Sequence, residues 1–106
     1  MSETVARYSA GPSIPLDELR LRPCCLKYGD PGYMPPTPDE VDSLIKSQGW
    51  SQTETANLVG ARSSDDKGSV RVRQWRAPAS SNFHRSIPYS AWRLLLIYAG
   101  VVHVHQ

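Results

Sequence analysis

A chain of 106 residues, 40% hydrophobic and 21% charged, has the composition of one soluble domain with room for a single modest core. Its longest apolar run, around Leu94 to Ile97, is far short of a membrane span. The N-terminus carries Glu3 and no secretory apolar segment, so a cytoplasmic protein with reduced thiols is expected. The net charge of +2 hides an uneven distribution: residues 1–60 hold five basic and eight acidic side chains, whereas residues 61–93 hold seven basic against two acidic, a concentration suited to nucleic-acid contact.

Residues 1–36 contain Pro12, Pro15, Pro23, Pro31, Pro35 and Pro36, a density that opposes regular helix and predicts an extended, proline-rich arm. Only Leu16 to Leu21 offers a short turn or strand. Ile14, Leu16, Leu19, Leu21, Tyr28 and Tyr33 give the arm a means of docking. Cys24 and Cys25 are adjacent, a poor geometry for a disulfide and too few ligands for zinc, so they read as packing or incidental residues.

After Pro36 the chain reads as helices. Thr37 is a suitable N-cap, Pro38 fits the first helical position, and Asp39 and Glu40 favour the positive end of the dipole. Val41, Leu44 and Ile45 share one face and Gly49 ends the segment, giving a first helix over about 38–47. Ser51 and Glu54 have capping-box spacing and start a second, short helix that Gly60 closes. Ser69 can cap a third helix from Val70 to Arg76, in which Val72 and Trp75 face inward and leave arginine and glutamine outside. A fourth helix follows Pro88, with Trp92, Leu95, Leu96 and Ala99 on one side and Leu94, Ile97, Tyr98 and Val101 on the other. Its two apolar sides make the latter set a candidate dimer contact. The tail from Val101 to Gln106 alternates and could add a short terminal strand.

The runs Gly49–Gly60, Val72–Arg76 and Ile87–Leu95 together resemble the Cro/cI-like (XRE-type) helix-turn-helix regulators, including small phage, plasmid and anti-CRISPR-associated ones. The likeness spans roughly Pro36 to Val102. It implies an all-α, lambda-repressor-like domain of four helices at 37–102, preceded by the arm at 1–36 and followed by a tail at 103–106. It also implies a dimeric repressor or autoregulator that binds double-stranded DNA at a palindromic operator. By that resemblance Gln52 anchors the phosphate backbone and the outward residues from Ser69 to Gln74 read bases. Completing the assignment, Ser69, Arg71, Arg73 and Gln74 are the expected base contacts, and Gln52, Arg62, Lys67, Arg76 and Arg85 the expected phosphate contacts. One departure is an insertion of about six residues around Arg62 to Lys67, where the family has a tight turn.

No nucleophile–base pair, metal cluster or phosphate-cradling glycine loop appears, so neither catalysis nor a cofactor is expected. His103 and His105 lack a third ligand, and His84 reads as a neighbour of phosphate or a bystander. The competing reading is an inhibitor or antitoxin that uses the same scaffold to grip another protein. A groove reader needs Arg71, Arg73 and Gln74 exposed, whereas a protein binder would expose aromatic side chains there.

Overall fold

The computed structural model describes residues 13–61 and 70–103. Among them lie five α-helices, α1 (Leu16–Leu19), α2 (Pro38–Gln48), α3 (Gln52–Val59), α4 (Val70–Arg76) and α5 (Tyr89–Tyr98), plus a 3-10 turn at Pro23–Cys25. The fold is all-α. No helix among the described residues is long and apolar enough to cross a membrane.

Paired side-chain and main-chain hydrogen bonds start the two central helices. At α2 the Thr37 hydroxyl accepts the Glu40 amide at 3.2 Å while the Glu40 carboxylate accepts the Thr37 amide at 2.8 Å. Ser51 and Glu54 repeat this at α3, with bonds of 3.0 and 2.8 Å. Each pair satisfies two amides that the helix itself cannot.

Helices α2, α3 and α5 each run into a glycine with positive φ: Gly49 at 70°, Gly60 at 72° and Gly100 at 77°. A side chain there would be strained, which is why glycine holds these positions. Past α5, Gly100 donates to the Ile97 carbonyl at 3.0 Å and Val101 to the Leu96 carbonyl at 2.9 Å. This closing motif brings the residue after glycine back onto the helix, where it makes an apolar contact. Val101 and Val102 are consequently buried and residues 101–103 form no strand; residues 104–106 lie outside the described residues.

Helix α2 packs against α1, α4 and α5, and α3 packs against α4 and α5. The core they enclose centres on Val41, Leu44, Ile45, Ala56, Val72, Trp75, Trp92, Leu95 and Leu96. Residues 13–36 join it. Leu19 is fully buried, Cys24 is 2% exposed, and Ile14 and Leu16 pack against the same cluster. Leu21, expected among the docking residues, instead stands 85% exposed.

Polar contacts fix this segment where its prolines prevent a longer helix. The Ile14 amide donates to the Ser43 hydroxyl at 2.9 Å, and Arg22 reaches the buried Glu40 carboxylate at 3.1 Å as well as Glu18. These two carboxylates hold the Arg22 guanidinium above its ordinary pKa. Trp92 donates its indole N–H to the Cys24 carbonyl at 2.9 Å, and Arg93 donates to the Cys25 carbonyl at 2.9 Å. Tyr28, Tyr33 and Tyr89 then meet with ring centroids 5.1–5.7 Å apart, latching the segment to the start of α5.

Candidate nucleic-acid interface

Spacing alone places Val72 and Trp75 on one face of α4, and both are buried, at 0% and 4% exposure. They seat α4 against α2 and α3. Arg71 is left exposed, and Arg73 and Gln74 are half-buried at the flanks. The short helix thus buries one apolar edge and exposes Arg71 on the other side, while Arg73 and Gln74 fall short of the full exposure expected of them. Gln52 is the first residue of α3 and is half-buried. Three expected contacts, Arg62, Lys67 and Ser69, lie outside the described residues.

Arg76 departs from its expected role as a phosphate contact. Its Nε donates to Asp42 Oδ1 at 2.6 Å and its Nη2 lies 2.5 Å from the same oxygen, while Lys46 Nζ approaches Asp42 Oδ2 at 3.0 Å. The Arg76 and Asp42 side chains are each about four-fifths covered, at 21% and 20% exposure. Arg76 and Lys46 share the single Asp42 carboxylate, and Arg76 thereby ties the end of α4 to α2. Nothing local announced this contact, because Asp42 lies 34 residues away and Lys46 is its natural partner one helical turn on.

Arg85 remains at the surface and is brought beside α4. Its amide donates to the Gln74 carbonyl at 3.1 Å, satisfying one of the unpaired carbonyls at the helix end. Its guanidinium donates to the Asn82 and His84 carbonyls at 2.9 and 2.7 Å. Neither contact cancels its charge. The neighbouring His84 keeps Nδ1 buried with no hydrogen-bond partner, a feature with no evident structural reason.

The expected dimer residues separate into two groups. Leu94 and Tyr98, four apart on α5, are 38% and 55% exposed, and Ile97 is half-buried beside them. Val101 is not part of that surface. The closing motif of α5 turns it inward to 6% exposure, so it has almost no area to offer a partner.

Elsewhere the chemistry-bearing groups serve packing. No group of three histidine, cysteine or acidic side chains could hold a metal ion among the described residues. The two thiols are free and buried. Hydrogen bonding with Cys25, burial and the Glu40 carboxylate push the Cys24 thiol up. The Cys24 hydrogen bond, helped by Arg93 and Arg20, pulls Cys25 down against its burial.

No protein-family model matches this chain, and no curated protein is significantly similar to it in sequence.

Proposed function

We propose that this protein is a sequence-specific double-stranded DNA-binding regulator of the XRE type, with α3 and α4 as its helix-turn-helix pair. The observation that carries the reading is the orientation of α4: Val72 and Trp75 are buried, and Arg71, flanked by Arg73 and Gln74, faces outward. Arginine can pair with the O6 and N7 of guanine, and glutamine with the N6 and N7 of adenine, in the major groove. Arg71, Arg73 and Gln74 therefore read bases, together with Ser69. Gln52, Arg85, Arg62 and Lys67 grip phosphates and set position. Arg76 supports the reader through Asp42.

One such module covers little DNA, so the chain works as a homodimer through the exposed Leu94 and Tyr98 with Ile97 between them. Two-fold symmetry matches a palindromic operator whose half-sites lie roughly 34–36 Å apart, and occupation of that site represses the adjacent gene. Selection from a pool of random duplexes tests the reading. The expected result is enrichment of a palindrome; a pool that stays random after repeated rounds overturns it.

A further inference from the structure

The turn that follows α4 carries a second feature that base reading by the helix does not use. Pro78 and Ser81 begin it with a hydrogen bond from the Ser81 amide to the Pro78 carbonyl, 2.9 Å, and the His84 amide continues it to the Ser81 carbonyl, 3.1 Å. The Ser81 hydroxyl accepts the Phe83 amide at 3.0 Å. Arg85 braces the turn from outside through the Asn82 and His84 carbonyls. A segment so tied to itself presents its side chains with little left to order on binding.

What it presents is the chain's sole phenylalanine, 43% exposed, between exposed Asn82 and Arg85. The Arg85 amide is bonded to the Gln74 carbonyl in the last turn of α4, and Phe83 lies two residues, at most about 7 Å of chain, from Arg85. A single exposed apolar ring is ordinary on a protein surface. Here it is fixed on a braced turn beside an arginine whose charge no carboxylate among the described residues cancels.

We propose that the Ser81–Arg85 turn is a second DNA-contacting element, in which Phe83 packs on deoxyribose faces of the strand flanking the groove while Arg85 meets an adjacent phosphate. The proposal rests on the duplex-DNA reading above. Charge complementarity selects the partner: a polyanion fits the exposed Arg71 and Arg85 side chains, and sugar rings supply the apolar surface between its phosphates. Such a contact carries no base information. It adds affinity equally to every sequence and, unlike Arg85, releases no counterion.

Fluorescence anisotropy of a labelled random-sequence duplex and of the selected operator, each across a salt series, tests this on the full chain. Phe83→Ala is expected to weaken both duplexes about five- to tenfold, with the slope of log affinity against log salt unchanged. Phe83→Leu, which keeps apolar volume, should restore most of that loss. Arg85→Ala should make the slope shallower by about one unit. If the unmodified protein binds duplex and Phe83→Ala binds equally well at every salt, the proposal falls and the DNA reading stands. A salt slope altered as much as by Arg85→Ala, or a loss confined to the operator, also overturns the sugar contact. If the unmodified protein binds no duplex at all, the DNA reading itself fails.

Discussion

Arg76→Ala separates a residue that holds α4 in place from one that would touch DNA in the proposed complex. The Arg76–Asp42 pair has two close contacts and about four-fifths of each side chain covered, placing it between an exposed ion pair, about 0.2–1 kcal/mol, and a charge-assisted hydrogen bond, about 1.5–3 kcal/mol. Lys46 stays with the Asp42 carboxylate after the arginine is removed, which limits the loss. The expected cost is about 1.5 kcal/mol. At 4–8 °C per kcal/mol in a small domain, melting should fall by roughly 6–12 °C. Thermal denaturation followed by circular dichroism measures this, and a double-mutant cycle with Asp42→Asn should return about 1 kcal/mol of coupling. The guanidinium is engaged with Asp42, so duplex binding by the still-folded variant should keep the salt slope of the unmodified protein. An unchanged melting temperature with a slope shallower by about one unit would place Arg76 on a phosphate and refute the clamp.

Trp92→Phe removes the donor to the Cys24 carbonyl and should cost about 1–3 kcal/mol in urea denaturation; a cost below about 0.5 kcal/mol would mean that the proline-rich segment is not seated by this bond. Arg71→Ala, Arg73→Ala and Gln74→Ala should each cost about 1–3 kcal/mol of operator binding and lose discrimination at one base pair, measured against single-base operator variants; uniform weakening of all sequences would remove α4 as the reader. Burial, with Cys24, Tyr89 and Tyr28 nearby, holds the Tyr33 phenol above its ordinary pKa, so the unfolded chain ionises first and stability declines as pH rises through the ordinary phenol range toward the folded pKa. Melting curves between about pH 9 and 11 should show that decline, flattened in Tyr33→Phe, and an equally steep decline in the variant would exclude Tyr33 as its source.

Helix ends were legible in the residues themselves because capping is local. Thr37 and Ser51 lie within three residues of the amides they accept, and Gly49, Gly60 and Gly100 mark the ends because each adopts a positive φ that side chains resist. The inward face of α4 was legible for the same reason, since Val72 and Trp75 are three apart on a helix. The candidate site was legible only in its residue types, as arginine and glutamine on a short helix. Their partners within the chain were not legible: Arg76 meets an acid 34 residues away, and Arg85 reaches α4 through its main chain.

The proline-rich segment shows the limit most plainly. Its composition predicts an extended arm with apolar residues that could dock it; Leu19 does dock, and beyond that expectation Cys24 completes the core and Cys24 and Cys25 receive Trp92 and Arg93 across 68 residues. Proline forbids regular structure but does not forbid burial when side chains elsewhere satisfy the carbonyls. Sequence by itself determined where helices start, stop and turn their apolar edges, since those depend on neighbours a few residues apart. Only the tertiary structure decided which contacts seat the arm on the core, that Val101 faces inward and that Arg76 is held by Asp42, because each depends on a partner the chain brings close only by folding.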